Sequence, residues 1–239
     1  MLTPDNRSRL GKVSISTLTT CLFMRGFRNV WIRNVVPVAG AGSRMVGEAF
    51  TLRFIPARED IDTMTAYASS EHIQRRAIEE CPVGHVLVID ARGRADAACA
   101  GDIMIARLQA RGAAGAVTDG GFRDSGAIAA LGFPVYHRAP APPASPIVHH
   151  AADLNLPVGC GEVAVYPGDI VVGDGEGVVV VPAGIANQAA EAAFEMTEYE
   201  EFAEERIRQG ASIFGTFPPN DESRAAYEMW RRTRDILAG

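Results

Sequence analysis

The stretch Gly101–Asp124, GDIMIARLQARGAAGAVTDGGFRD, carries most of the information about the fold of this chain. It opens with a Gly-Asp pair, and the amphipathic run that follows predicts a short helix over 102–111. Small and β-branched residues predict a strand over 113–118, and the glycines beyond it predict a turn over 119–122. With the apolar run HVLVIDA at 85–91, which is typical of a buried strand, the stretch predicts a βαβ-like unit.

Arg123 and Asp124 stand side by side at the end of this unit, directly after Gly120–Gly121 and Phe122. A surface turn with a local ion pair is the simplest interpretation of such a dipeptide. The glycines favour another, because absent side chains let backbone amides approach a ligand closely. Arginine binds carboxylates in a fork and stabilises enolate oxygens, whereas aspartate supplies a hard oxygen ligand for a magnesium-type ion. The pair therefore suits an anionic substrate bridged to a metal.

Asp102 has two compatible roles at the start of the predicted helix. It is favoured there as a cap and complements the helix dipole. The same helix start offers free N–H groups, from residues such as Ile103 and Met104, to a carboxylate or oxyanion. Asp102 would then orient a metal-bound water.

Composition favours a soluble, cytoplasmic protein that does not bind nucleic acid. The 239 residues suit one large domain, and the formal net charge of −6 argues against a nucleic-acid footprint. The N-terminus does not resemble a signal peptide, and no apolar stretch approaches the roughly 20 residues that span a bilayer. The cysteines are scattered without metal-binding spacing, which predicts reduced, partly buried thiols. They are Cys21, Cys81, Cys99 and Cys160.

The other elements follow from periodicity and from turn residues. They are a helix over 5–25, strands over 30–36 and 49–55 around a bend at Gly40–Gly42, a helix over 62–80, an irregular Pro-rich connection over 131–148, two β runs over 158–181, and helices over 183–208 and 221–237. We expect a single domain over 1–239 with a helical C-terminal extension from about 183.

Three runs of the central stretch together resemble the signature of the RraA-like family, which includes the 4-hydroxy-4-methyl-2-oxoglutarate aldolases. They are Gly101–Met104, Ala110–Val117 and Asp119–Asp124. PGDIVVGDGEGVVVVP at 167–182 resembles the second hallmark of the family, and GEAFT at 47–51 resembles a weaker one. The resemblance covers roughly residues 15–185.

The resemblance implies an α/β fold, a β/β/α sandwich similar to the swivelling phosphohistidine domain, with N- and C-terminal helices and a homotrimeric or homohexameric assembly. It implies a pyruvate aldolase that also decarboxylates oxaloacetate and depends on a divalent metal, Mg²⁺ or Mn²⁺. On this pattern Arg123 stabilises the enolate, Asp124 holds the metal directly or through water, and Asp102 positions a water for proton transfer. The substrate-binding residues implied are Gly101, Asp102, Ile103, Met104 and Arg123.

Several alternatives stay open at this stage. The substrate is a 4-hydroxy-2-oxo acid or a 2-keto-3-deoxy sugar acid, and the rival function is a non-catalytic regulator that binds an RNA-degrading endonuclease. The single lysine, Lys12, lies in the basic N-terminal stretch, which disfavours a Schiff-base aldolase.

The chain departs from the family at Thr20–Leu22, where Asp-Ala-Leu is usual, and at Arg58–Asp62, where we place the usual Gly-Asp-Asn. We expect these positions to affect the distal part of the substrate, with Arg25 and Arg58 as partners for a second carboxylate or a polyhydroxyl chain.

Overall fold

The computed structural model describes residues 1–38 and 44–238, so the bend predicted at Gly40–Gly42 lies outside the described residues. The α-helices are α1 (Pro4–Leu10), α2 (Ile15–Met24), α3 (Met64–Ala68), α4 (Ile73–Glu80), α5 (Asp102–Ala110), α6 (Ser125–Ala130), α7 (Ala186–Arg208) and α8 (Asp221–Ala238). Short 3-10 helices cover Ser145–Ile147 and Ala183–Ile185. None of these described helices combines the length and the apolarity that crossing a membrane would require.

The strands belong to one large sheet and two small ones. They are β1 (Val36–Pro37), β2 (Met45–Pro56), β3 (His85–Asp90), β4 (Ala98–Ala100), β5 (Gly115–Thr118), β6 (Gly121–Phe122), β7 (Val135–His137), β8 (Ala139–Pro140), β9 (His149–Leu154), β10 (Val158–Cys160), β11 (Val163–Val165), β12 (Ile170–Asp174) and β13 (Gly177–Val181). The small sheets are the hairpin β10-β11 and the parallel set β4-β6-β8.

The large sheet is mixed, with the order β1-β7-β5-β3-β2-β12-β13. Its centre, β2-β3-β5-β7, is parallel, and β1, β12 and β13 are antiparallel to their neighbours. The long strand β2 pairs along one side with β12 in its first part and with β9 in its second part. The mixed α/β fold with helices at both ends that the sequence predicts is confirmed.

One segment connects the two edges of the large sheet, so that the sheet nearly closes. The Ile32 N–H donates to the Val178 carbonyl at 2.9 Å, and the Val180 N–H donates to the Val30 carbonyl at 2.8 Å, which places this segment along β13. A few residues later the same chain forms β1 on the opposite edge strand, β7. Unpaired sheet edges are thereby reduced.

Apolar residues form three clusters around the large sheet. One lies beneath α4, α5 and α6, a second packs α1, α2 and α7 against β12 and β13, and a third fills the inside of the curved sheet. Alanine and aliphatic side chains dominate all three, as the low aromatic content predicts. The first cluster supports the site described below.

Two helices predicted as continuous are each interrupted. The helix predicted over 5–25 ends at Gly11 and restarts as α2, because the Ser14 Oγ caps the new helix by accepting from the Thr17 N–H at 3.0 Å. The helix predicted over 62–80 is α3 and α4, since Ser69 adopts an extended conformation between them. The second break turns α4 toward the central unit.

The connection over 131–148 is more regular than predicted, because β7, β8 and a 3-10 helix form within it. Pro140 is accommodated in β8 because that strand lies at the edge of its sheet, where a missing N–H costs little. The turn predicted at 119–122 likewise contains β6. The C-terminal helices are confirmed, with α7 beginning after the 3-10 turn at 183–185.

Candidate active site

The two candidate segments of the central stretch meet at the ends of the parallel strands β4 and β6. β4 leads into α5 through Gly101, and β6 leads into α6 through Arg123 and Asp124. The Arg123 N–H donates to the Ala100 carbonyl at 3.1 Å, which joins the two strand ends. Ala100 and Arg123, which are 23 positions apart in the sequence, are therefore neighbours in the fold.

Gly101 is the point of closest approach between these segments. A β-carbon at Gly101 would lie 2.9 Å from both the Arg123 Nε and the Asp124 Oδ2. The backbone of Gly101 is extended, at φ −117° and ψ −178°, a conformation open to any residue. Glycine is thus needed for the contact itself, and it lets the Arg123 guanidinium and the Asp124 carboxylate pack against the start of α5.

Arg123 and Asp124 form an exposed ion pair, with side chains that are 47% and 42% accessible to solvent. The Arg123 Nε donates to the Asp124 Oδ2 at 3.1 Å, which leaves the terminal nitrogens of the guanidinium for another group. Asp124 adopts a left-handed conformation with φ +59° immediately before α6. Aspartate tolerates that region better than most residues, so the position suits a carboxylate held at a fixed angle.

A cavity of about 260 Å³ lies beside this pair. Its walls are β4, the first residues of α5, Arg123, two residues of α3, Gln74 of α4 and the region of the 3-10 helix at 145–147. Among the described residues that line it, Arg123 is the one cation and Asp102 the one carboxylate, while Asp124 stands at the rim through its bond to Arg123.

The start of α5 differs in detail from the prediction. Gly101 is the N-cap and Asp102 the first helical residue, so Asp102 does not cap the helix. The Asp102 Oδ1 accepts from the Ile103 N–H at 2.8 Å, which occupies one of the amides expected to be available to a ligand. The Met104 Sδ accepts from the Tyr67 hydroxyl at 3.6 Å and so links α5 to α3 across the cavity.

Gly120–Gly121 has a packing role instead of the ligand-facing role that the sequence favours. β-carbons there would lie 2.5 Å from the Ala91 Cβ and 2.4 Å from the Ala141 Cβ, respectively. Both residues are buried. They allow β6 to approach its neighbours, and this approach places Arg123 at the end of β4.

Asp119 anchors the connection that carries Arg123. Its buried carboxylate accepts from the N–H groups of Ala91, Gly93 and Gly161 at 2.7, 2.8 and 3.1 Å. Burial raises the pKa of Asp119, and the three N–H donors act in the opposite direction. The anchor ties the end of β5 to two neighbouring loops before the chain enters β6.

The described residues that line the cavity include neither lysine nor cysteine, the two nucleophiles considered for covalent carbonyl chemistry. All four cysteines are buried and free of disulfide bonds, as predicted. Burial raises the pKa of Cys81 and of Cys99 to about 12, which keeps both thiols protonated. Lys12 is exposed after α1 and does not line the cavity.

The donors at the site fit a hydrated divalent ion. The described residues contain no cluster of three or more His, Cys, Asp or Glu side chains that could hold a metal. Mg²⁺ keeps several waters and commonly takes only one or two protein carboxylates. Asp124, whose Oδ2 lies against Gly101, would supply one hard oxygen ligand, so the residues present fit an ion that keeps most of its waters.

Other residues of the cavity were not predicted. Tyr67, Gln74 and Ser145 come from three separate elements, and no local motif marks them in the sequence. Conversely, the described residues lining the cavity include neither Arg25 nor Arg58. The Arg58 Nε donates to the Asp60 Oδ1 at 2.7 Å on the surface, and the Arg25 Nη1 donates to the Cys21 carbonyl at 3.1 Å.

Comparison with known proteins identifies the family of this chain. The model of the RraA-like family, described as Aldolase/RraA, matches residues 16–180. A protein of Halalkalibacterium halodurans that carries the name "Putative 4-hydroxy-4-methyl-2-oxoglutarate aldolase" is 41% identical over 109 residues, 46% of this chain and 51% of that protein. The chain thus spans about half the length of that relative.

Solved structures share the fold. RraAS2 of Streptomyces coelicolor, described as an unusual member of the RNase ES inhibitor RraA protein family, has a TM-score of 0.73 and 31% identity, covering 84% of this chain and 96% of its own. An uncharacterized protein of Pseudomonas syringae has a TM-score of 0.77 at 24% identity, covering 90% and 98% of the two chains, and shows the fold alone. With the family model spanning most of its length, this chain belongs to the RraA-like family.

Proposed function

We propose that the protein is a divalent-metal-dependent pyruvate lyase that cleaves a 4-hydroxy-2-oxo acid or a 2-keto-3-deoxy sugar acid and decarboxylates oxaloacetate. The observation that carries the proposal is the packing of Arg123 and Asp124 against Gly101, beside Asp102 and a cavity. The relative named for an aldolase, which this chain matches over about half of that protein's length, supports the same reaction class.

The proposed cleavage passes through the enolate of pyruvate. The 4-hydroxyl loses its proton and becomes the carbonyl of the leaving aldehyde or ketone as the C3–C4 bond breaks. The electron pair of the C3–C4 bond moves toward C2, and the C2 oxygen takes up the negative charge of the enolate. A proton then adds to C3 and gives pyruvate. With oxaloacetate, the bond to the distal carboxylate breaks instead and carbon dioxide leaves, with the same enolate as product.

The roles follow from the charges at the site. Arg123 offers its terminal guanidinium nitrogens to the developing enolate oxygen, a preorganised electrostatic role. Asp102 holds the water that exchanges protons with the reacting carbon or hydroxyl, and the α5 N-terminus, including the N–H of Met104, receives the pyruvate carboxylate. Asp124 would hold Mg²⁺ or Mn²⁺, directly or through water, and the ion when bound supplies Lewis-acid stabilisation of the oxyanion. We extend the proposal to a homotrimeric or homohexameric assembly.

The direct test is pyruvate release from oxaloacetate and from a 4-hydroxy-2-oxo acid, with Mg²⁺ and with EDTA. We expect turnover that EDTA abolishes and that Arg123→Ala lowers by about 100-fold or more, as for loss of one oxyanion donor. Arg208→Ala is the matched control, since Arg208 is an exposed residue at the end of α7. Turnover unchanged by EDTA would refute the metal, and full activity of Arg123→Ala would refute the role of that residue.

A regulator of an RNA-degrading endonuclease is the second candidate, favoured by the 31% identity to RraAS2. It predicts inhibition of an RNase E-type enzyme at stoichiometric concentration, with equal inhibition by Arg123→Ala. The lyase hypothesis predicts instead that the native protein does not inhibit the endonuclease and that Arg123→Ala loses pyruvate release.

A further inference from the structure

The wall of the cavity that α3 forms is held less firmly than the other walls. None of the five residues of α3 is buried. By contrast, Gln74, Ala98 and Ser145, which line other parts of the cavity, are all buried. Segments with few buried contacts are the first to open in a native protein. The wall formed by α3 is therefore the one most able to move when a ligand enters.

α3 turns one face to the cavity. Met64 and Tyr67 both line it, and residues three positions apart lie on the same face of a helix. The Tyr67 hydroxyl donates to the Met104 Sδ at 3.6 Å. A thioether is a weak acceptor, so this bond gives way readily to one with a ligand oxygen. The position of α3 over the cavity consequently depends on a stronger tie elsewhere.

That tie is a hydrogen bond between Asp62, which lies just before α3, and His150 of β9. The Asp62 Oδ1 lies 2.7 Å from the His150 Nδ1, and the Asp62 side chain is only 5% exposed. Because a carboxylate only accepts hydrogen bonds, the Nδ1 carries the proton and donates it. The Asp62 Oδ2 accepts from the Arg58 N–H at 2.7 Å. Since β9 pairs with β2, the bond fastens the start of α3 to the large sheet.

The end of α3 returns to the same cluster of side chains. The Tyr67 ring meets the His72 ring edge-on, with centroids 5.1 Å apart. Burial lowers the pKa of His72, Asp62 opposes this shift and His150 adds to it, so these three groups are neighbours. Across the described ranges, Asp62 and Tyr67 are the two residues of 58–68 whose side chains hydrogen-bond to another element. Of these two bonds, the one between Asp62 and His150 is the shorter and the less exposed to competition from a ligand.

We propose that α3 is a lid over the cavity, that Asp62 and His150 latch it in place, and that Tyr67 is the lid residue that meets the ligand. A closed lid excludes bulk water from the enolate and fixes the reacting groups. Asp62 and His150 are positioning residues, which act on the reaction through α3. The inference rests on the proposed lyase function for the identity of the ligand, pyruvate, whereas the latch can be tested without any ligand.

The latch is tested by amide hydrogen exchange of α3 in the protein without ligand. Asp62→Ala and His150→Ala should each speed exchange by about 10-fold, because either substitution removes the same bond. The double variant should exchange no faster than the single variants, since the second substitution has nothing further to break. Asp62→Asn keeps an acceptor oxygen and should have a smaller effect than Asp62→Ala.

Asp60→Ala is the matched control. Asp60 belongs to the same segment, but it is exposed and its bond to the Arg58 Nε stays within that segment. Exchange of α3 should be unchanged in this variant. The melting temperature should change little in all of these variants, because neither Asp62 nor His150 belongs to the apolar clusters around the large sheet.

The lid is tested by the same measurement with pyruvate and Mg²⁺. We expect them to slow exchange of α3 by about 10-fold or more in the native protein and by less in Asp62→Ala. With oxaloacetate as substrate, kcat/KM should fall by about 10-fold in Asp62→Ala and in His150→Ala, with no further fall in the double variant. Asp60→Ala should keep the native kcat/KM.

The outcomes separate the latch, the lid and the lyase. Unchanged exchange in both single variants, or a double variant whose effect is the product of the two, overturns the latch. Exchange of α3 that pyruvate and Mg²⁺ leave unaltered, in a protein that decarboxylates oxaloacetate, overturns the lid and leaves the lyase intact. Absence of pyruvate release by the native protein overturns the lyase, and exchange without ligand still decides the latch.

Discussion

At the scale of the residue, the site depends on Gly101, whose lack of a side chain lets Arg123 and Asp124 approach the start of α5. Arg123, Asp124 and Asp102 could be proposed from the sequence, because Asp102 follows Gly101 and the Arg123–Asp124 pair follows Gly120–Gly121 and Phe122 in a recognisable run. The contact that brings them together could not, since Gly101 meets Arg123 only when β4 and β6 pair. Sequence adjacency also misassigned Gly120–Gly121, whose role is to pack strands.

Gly101→Ala should impair catalysis without unfolding the protein. The backbone conformation is open to alanine, but the new methyl group would lie 2.9 Å from both the Arg123 Nε and the Asp124 Oδ2 and must displace them. We expect pyruvate release to fall by about 100-fold, the scale of a misplacement of about 1 Å, with little change in melting temperature.

Gly126→Ala provides the control for this substitution. Gly126 lies in α6, and nothing stands within 4 Å of an added β-carbon there. We expect unchanged turnover and equal or slightly greater stability, because alanine favours the helix. Equal activity of the Gly101→Ala protein and the native protein would show that the close contact is unimportant.

At the scale of the element, hydrophobic periodicity identified the helices but not their breaks. The pattern over 62–80 continues across Ser69, whereas the chain leaves the helix there and α4 starts anew at Ile73. Breaks of this kind depend on local hydrogen bonds between side chains and backbone that compete with the helix, such as the one that the Ser69 Oγ accepts from the Glu71 N–H at 3.1 Å. Because Tyr67 and Gln74 lie on opposite sides of this break, their meeting at the cavity was not predictable.

The last helix, α8, packs on α7 through an aromatic cluster. Trp230 packs on Phe202 and Tyr227 with ring centroids 5.8 and 6.1 Å apart, and its Nε1 donates to the Glu205 Oε2 at 2.9 Å. Trp230→Ala should therefore raise local opening of α8 by about 10-fold, or about 1.4 kcal/mol, measured by amide hydrogen exchange.

Arg232→Ala should leave exchange in α8 unchanged, since Arg232 is exposed on the same helix. Exchange in β2 and β3 should be slow in both variants, because those strands belong to the core of the large sheet. Equal exchange of α8 in Trp230→Ala and in the native protein would show that contacts other than the aromatic cluster hold the helix.

At the scale of the whole molecule, composition predicted the aliphatic core, and the resemblance to the RraA-like family implied the α/β class. The near closure of the sheet was not predictable, because it depends on bonds between residues 30–32 and β13, about 150 positions apart. Non-local pairings of this kind leave no local pattern in a single sequence. The walls of the cavity were not predictable for the same reason, because they come from elements that are distant in the sequence.

Burial of histidines should make stability depend on pH. Burial lowers the pKa of His72, His137 and His149, so the unfolded chain binds more protons than the folded chain as pH falls below about 6.5. Stability is then fully present above that pH and is lost on acidification. Asp119, whose pKa is raised, acts in the opposite sense at lower pH, so single-residue variants are needed to isolate each histidine.

His137→Phe isolates one contribution, since His137 stacks near Phe122 at 6.2 Å and its Nδ1 is unpartnered among the described residues. Between pH 7.5 and pH 5, the melting temperature of the native protein should fall more than that of the variant. The expected difference between the two falls in melting temperature is about 2–4 °C for each kcal/mol of stability that the native protein loses through protonation of His137. Parallel melting curves across this range would contradict the burial effect.

The central claim is that this chain forms the enolate of pyruvate at Arg123. It is tested most directly by exchange of the pyruvate methyl protons in deuterium oxide, followed by proton NMR, because this requires no knowledge of the other half of the substrate. The account predicts exchange in the presence of Mg²⁺ that is well above the buffer rate and falls by about 100-fold in Arg123→Ala. Exchange at the buffer rate in the native protein with Mg²⁺, or undiminished exchange in Arg123→Ala, would contradict it.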